Sequence, residues 1–361
     1  MQKIAAVRSP RSTALWRLAS DEGPYLKGFD SAPCPLAFFT TGMVASIMCE
    51  AKRIARQRDI DLHSIVLQLD NFYSMQGSAT DGTMRGGARA PRLEAWLHSA
   101  AGDQLLAEML HDAVQASPVC ALVRKPLHSL FTLTLNGQRI ATDREPAAAR
   151  GGPRADSNPV DLVPVASEAS EPPRVRKLTP IDTRLGVAGG YGTSLAPNQD
   201  RQLHIRGSCR LLPDGRKEIH QELFSPLGSS FCFVSDEAAG FGGGGAAPDA
   251  ASYAAAGIAF CFMTQIGRYA RISRREPDAY SIVQDVHFSG SGESAADRSE
   301  PGDCDAVETH LHIQGSLDAE FARKLLDMGE QTCFLHALCR SALDIDIVWQ
   351  RAAAGEAPFA S

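Results

Sequence analysis

Hydrophobic and polar positions follow two periods along this chain, one helical and one alternating, and the order in which they switch recurs. In the first half, "LAFFTTGMVASIMCEAKRIARQRD" (36–59) reads as a long helix and "SIVLQLDNFY" (64–73) as a strand. The Gly-rich "GSATDGTMRGGARAP" follows as a loop, and "RLEAWLHS" (92–99) as a second strand. A second helix is predicted over 102–127 and a closing strand, "LFTLTLNG", over 130–137. The second half repeats this plan. An Ala/Gly-rich helix (249–271) precedes "IVQDVHF" (282–288), a polar Gly/Ser/Asp loop and "ETHLHIQG" (308–315). A helix over 318–342 and the strand "LDIDIVW" (343–349) complete it. Val, Ile, Thr and Phe at alternate positions support each strand. This half also has a β-rich start (201–224), in which "PDG" marks a hairpin turn.

Between the halves, residues 144–178 are rich in Pro, Ala, Ser and charge without sustained period, the composition of a linker. The pattern therefore predicts an α+β protein: a module over 1–143, a flexible linker over 144–178, and a second copy over 179–361. The copies would pack long helices on antiparallel sheet and fold side by side as an intramolecular pseudo-dimer.

Composition narrows the function classes. At 361 residues, with 44% hydrophobic and 22% charged, the chain can bury two cores. A net charge of −6 and a pI near 5.9 leave no electrostatic footprint for nucleic acid. The most apolar stretch, around 250–263, is interrupted by Ser252 and reads as a buried helix rather than a membrane span. Residues 1–16 hold no apolar core of signal-peptide length, and the nine cysteines form no C-x-x-C pair or zinc spacing. They are expected to be reduced thiols in a cytoplasmic protein.

Overlaying the halves singles out two of those thiols. "GIAFC" (257–261) matches "GMVAS" (42–46), which sets Ser46 opposite Cys261. "QTCFLHALC" matches "QASPVCALV", which sets Ser117 opposite Cys333. The separations are 72 residues from Cys261 to Cys333 and 71 from Ser46 to Ser117. One copy thus carries a cysteine pair where the other carries serines.

Through "GIAFCFMTQIGRYA", "AEFARKLLDMGEQTCFLHAL" and, in the degenerate copy, "LLAEMLHDAVQASPV", the chain resembles the OsmC/Ohr family of osmotically inducible and organic hydroperoxide resistance proteins. The resemblance implies two long helices on β-sheet, with one cysteine from each long helix. It gives Cys261 the peroxidatic role and Cys333 the resolving role, without a metal or organic cofactor. It further implies a small apolar substrate, a dithiol reductant and a pseudo-dimer or homodimer. A sulfenic acid at Cys261 must meet a second thiol before further oxidation. In the hydroperoxide branch of the family, an arginine on an N-terminal strand activates the thiolate and is held by a glutamate after a proline. Here the corresponding segment reads "GGGGAAPDAAS" with Asp249 after Pro248, and Arg206 and Arg210 are the candidate activating arginines.

A thiolate in an apolar pocket is also a carbon nucleophile, given a base and an oxyanion site. On that alternative, a hydrolase of a β-diketone or thioester, His336 would be the base, with Gln265 and His111 as polar partners. A third reading is a non-catalytic ligand-binding or thiol-sensing protein. His310 and His312 alternate near Glu308, a pattern read as an exposed strand face rather than a metal site. The "GFGGGG" run (240–245) reads as a lid or connection over the site.

Overall fold

The computed structural model describes residues 2–143, 145, 174–180, 199–290 and 301–353. A hairpin of β1 (Lys3–Arg8) and β2 (Leu15–Ser20) leads to the long helix α1 (Pro35–Gln57). The hairpin β3 (Leu62–Gly77) and β4 (Arg85–Ser99) follows, then α2 (Asp103–Ala116), α3 (Ala121–Arg124), β5 (Leu130–Leu135) and β6 (Gln138–Ile140). Next come β7 (Val175–Lys177), β8 (Gln199–Leu211), β9 (Lys217–Ser225), β10 (Phe231–Ser235) and the second long helix, α4 (Ala250–Ile272). The chain continues through β11 (Ala279–Asp285), β12 (Phe288–Ser289), β13 (Asp303–Cys304) and β14 (Glu308–Gln314). It finishes with α5 (Ala319–Thr332), α6 (Phe334–Cys339) and β15 (Asp346–Arg351).

The fold is mixed α+β, with largely antiparallel sheets. A seven-stranded sheet runs β15-β4-β3-β8-β9-β10-β7, and a four-stranded one runs β11-β14-β5-β6. Each holds one parallel pairing, and both parallel pairs join distant parts of the chain: β15 lies along β4, and β5 along β14. Against these sheets, α1 and α4 pack on each other through glycines. A Cβ at Gly42 would stand 2.5 Å from the Ala254 nitrogen, and one at Gly257 would stand 2.6 Å from the Phe39 nitrogen. Phe38, Phe39, Met43, Ile47, Phe260 and Phe262 are fully or almost fully buried around this crossing. Each such side chain contributes about 1.5–3 kcal/mol relative to exposure in water. The apolar α4, long enough to cross a membrane by composition, lies mostly buried within the fold.

Several sequence expectations change. Residues 175–177, assigned by composition to the linker, form β7 on the edge of the large sheet; residues 144 and 146–173 lie outside the described residues. The β3–β4 hairpin extends into the Gly-rich stretch read as loop, because Ala88 and its neighbours keep the extended pairing as far as Gln76–Arg85. The helices predicted over 102–127 and 318–342 are each broken, at Ser117 and at Cys333. His310 does not lie on an exposed face. β14 is the inner strand between β11 and β5, so His310 is buried, with Thr132 Oγ1 2.7 Å from its Nδ1.

Candidate active site

The break in α5–α6 brings Cys333 to Cys261. Cys261 lies midway along α4, whose small residues let α1 approach on one side while α5 packs on another. Cys333 leaves the helix with φ −73° and ψ 121°, and Ser117 in the first half does the same at φ −65° and ψ 117°. Pro118 accounts for Ser117, since proline disfavours helical geometry in the residue before it. Phe334 imposes no such constraint on Cys333. There the bend is held by Arg340 on the Glu330 carboxylate (2.6 Å), and by Gly86, where a Cβ would meet the Thr332 oxygen at 2.9 Å. Gly302 makes the equivalent close approach to Ala116–Pro118.

Both thiols are buried and free. Burial pushes the Cys261 thiol up, but the net shift is below the ordinary thiol value. The Cys333 thiol and the backbone N–H groups of Leu335 and Phe334 stabilise its thiolate, against a smaller opposing effect of Glu22. Burial pushes Cys333 well above the ordinary value, and holding a proton toward Cys261 pushes it the same way. The pair is therefore split into one thiolate-forming sulfur and one proton-holding sulfur.

Three further residues complete the surroundings, and none was expected from the sequence. Lys3 on β1 pairs with Glu22 at 3.0 Å, both nearly inaccessible to solvent. Lys3 Nζ also donates to Thr264 Oγ1 at 2.6 Å, one helical turn beyond Cys261, and Tyr25 donates to Glu22 at 3.1 Å. The third is Tyr73 on β3. Its hydroxyl is buried without a hydrogen-bond partner among the described residues, and its ring centroid lies 5.8 Å from that of Phe334. Burial raises this phenol well above its ordinary value, and among neighbouring groups Cys261 adds most to the rise.

The residues nominated around the pair from sequence mostly go elsewhere. Arg210 is half exposed and bound to Glu218 at 2.6 Å. Arg206 makes a two-point contact with Asp70, at 2.9 and 3.0 Å. Asp249 caps α4 by accepting from the Ser252 N–H at 2.7 Å; three turns, roughly 18 Å of helix, separate it from Cys261. His111 lies exposed beside Asp112. Gln265 is buried one turn beyond Cys261 and accepts from Arg268 at 2.8 Å. The His336 ring is buried between Phe131 and Phe262, at centroid distances of 5.6 and 5.2 Å, while its backbone N–H faces Cys333. The glycine run is pinned at the start of α4, where Gly244 and Ala246 donate to Asp236, so it is a tied connection rather than a lid.

The corresponding place in the first half is occupied by hydroxyls: Ser46 Oγ and Ser117 Oγ are 2.8 Å apart. Gly42/Gly257, Ser46/Cys261, Cys49/Thr264 and Glu22/Glu237 each lie 215 residues apart, and Lys3/Lys217 lie 214 apart. Lys217 accordingly contacts Glu237 at 3.0 Å and Cys49 Sγ at 2.9 Å, as Lys3 contacts Glu22 and Thr264. Extending the overlay of the halves beyond the helices would have revealed Lys3 and Glu22. Tyr73 left no signal beyond an apolar strand position. Cys49 also isolates what lowers Cys261: with a Lys–Glu pair but no second thiol or facing N–H groups, burial and Glu237 push it up.

Residues 242–348, a span that holds both Cys261 and Cys333, match the family model described as OsmC-like protein. The match lies within the second half of the chain and leaves residues 1–241 outside it. Among solved structures, an organic hydroperoxide resistance protein OsmC from Legionella pneumophila is similar at 22% identity, covering 36% of this chain and 88% of that one, with a TM-score of 0.26. It is also described as a predicted redox protein and regulator of sulfide bond formation. No curated protein matches the chain.

Proposed function

We propose that the chain is a thiol peroxidase that reduces organic hydroperoxides at Cys261. The reading is carried by the buried pair in which Cys333 holds a proton toward the Cys261 sulfur. The Cys261 thiolate attacks the outer oxygen of the hydroperoxide and breaks the O–O bond. The sulfur becomes a sulfenic acid, and the departing alkoxide takes up a proton and leaves as alcohol. The Tyr73 hydroxyl, buried and without a hydrogen-bond partner among the described residues, is suited to donate a hydrogen bond to an oxygen at this centre. Cys333 then attacks the sulfenic sulfur, water leaves, and a disulfide forms. A dithiol reductant regenerates both thiols by exchange. Apolar surroundings favour an organic substrate, and reduced thiols fit a cytoplasmic setting.

On the same reading, residues 1–143 and 179–361 are two copies folded as an intramolecular pseudo-dimer with one active site. The near-constant offset of the paired residues and the hydroxyl pair at Ser46/Ser117 support it. Hydrolysis by Cys261 would need a base, and the aromatic packing of the His336 ring favours the peroxidase reading.

The test is consumption of cumene hydroperoxide in the presence of dithiol, with peptide mapping of the oxidised protein. A Cys261–Cys333 disulfide is expected; Cys261→Ser abolishes turnover, and Cys333→Ser leaves a sulfenic acid that dimedone traps. Both thiols free after exposure would overturn the proposal.

A further inference from the structure

We propose that Cys49 and Lys217 form a second redox centre, an oxidative cross-link in which one oxygen bridges the lysine nitrogen and the cysteine sulfur. The Nζ–Sγ separation is 2.9 Å, a hydrogen bond shorter than ordinary contact between these atoms, so only a small further approach would place a single oxygen between them. Lys217 is fixed there: its side chain is almost fully buried, and it donates to Glu237 at 3.0 Å. Glu237 in turn contacts the Cys49 sulfur at 3.2 Å and the Ala250 N–H at 3.4 Å. Cys49 as a residue is only partly buried, while its thiol faces inward onto Lys217 and Glu237. The two residues are 168 positions apart, on α1 and at the start of β9, so the bond would tie the two halves covalently.

The mirrored cluster shows why this position differs from its counterpart. Where Lys3 and Glu22 hold the hydroxyl of Thr264, Lys217 and Glu237 hold a sulfur, an atom that can be oxidised. The chemistry balances with two molecules of hydroperoxide. The first oxidises the Cys49 thiol to a sulfenic acid and leaves as alcohol. The second, with the neutral Lys217 amine and the sulfenic acid, gives the N–O–S bridge, one alcohol and one water. The lysine ammonium must first lose a proton, a step that Cys49 and Glu237 oppose by holding Lys217 above its ordinary value against burial, and Glu237 at 3.0 Å is the acceptor within reach. In total the protein gains one oxygen and loses two hydrogens, and a thiol reductant reverses the link.

The experiment uses the full chain carrying Cys261→Ser and Cys333→Ser, so that its outcome does not depend on the proposed peroxidase activity. The protein is treated with excess hydrogen peroxide, digested with trypsin, and mapped by mass spectrometry with and without dithiothreitol. The expected result is a joined peptide pair containing Cys49 and Lys217, with the mass of one added oxygen and two lost hydrogens, released by dithiothreitol. It is absent when Lys217→Arg or Cys49→Thr is added. The latter places in the first half the residue that already serves at Thr264. Cys49 recovered as a free thiol, as a sulfinic acid, or joined to nitrogen without the oxygen would overturn the proposal.

Discussion

Replacing Lys3 by methionine tests the electrostatics around Cys261. The Lys3 and Glu22 side chains are 4% and 5% exposed, so the variant leaves a carboxylate out of water without its partner. Removing one member of a buried ion pair costs about 3–5 kcal/mol, a large share of the roughly 5–15 kcal/mol that holds a domain folded. The same change leaves the Glu22 charge acting on Cys261 without compensation, which disfavours the thiolate. Two measurements read these effects: urea unfolding, and the rate at which Cys261 is alkylated by iodoacetamide as a function of pH. Lys3→Met should lower the unfolding midpoint and move the alkylation midpoint to higher pH. Each unit of that shift cuts the thiolate present at neutral pH about tenfold. Adding Glu22→Gln removes the orphaned charge and should restore most of both quantities, which also keeps the test readable if the single variant folds poorly. A Lys3→Met protein with unchanged stability and an unchanged alkylation profile would refute the reasoning.

Three other outcomes follow from the geometry. Gly257→Ala gains about 1 kcal/mol of helix propensity but puts a Cβ 2.6 Å from the Phe39 backbone, where overpacking costs about 1–3 kcal/mol; denaturant titration should show a net loss, and a stabilised variant would contradict the tight crossing. Because Cys261 lies below the ordinary thiol value and Cys49 above it, residue-resolved alkylation should find Cys261 reacting at lower pH than Cys49. The Cys49 rate should still be climbing about tenfold per pH unit above pH 9, whereas parallel profiles would count against the assigned causes. Ser46→Cys with Ser117→Cys, placed where the hydroxyls are 2.8 Å apart, should yield a second disulfide on hydroperoxide treatment. A pair that stays reduced while Cys261 and Cys333 oxidise would show that proximity alone is insufficient.

The long helices and the cysteine pair were legible because spacing encodes them: a Gly four residues before Cys261 and before Ser46, and matching separations to the second helix. What spacing does not encode was missed. "KIAAVR" and "LWRLAS" are six-residue strands with weak alternation, so the first hairpin passed unnoticed and Lys3 went with it. The family resemblance asked for an arginine and directed attention to Arg206 and Arg210, whose charges are bound by Asp70 and Glu218. The bend at Cys333 has no proline to announce it; long-range contacts with Arg340 and Gly86 make it. His310 read as exposed because a strand's inner or outer position depends on partners that its own residues do not specify.

The two parallel pairings between distant strands govern when the sheets can be completed. β4 has only β3 beside it until β15, the final described strand, arrives through Asp346–Arg351, and β5 waits for β14 in the same way. During synthesis the first half therefore leaves the ribosome with strand edges that only residues more than 170 positions later can cover. Such open edges are templates for mispairing, and distant closure is slow. The finished sheets are in this sense a late event, completed only when the last described strand has been made.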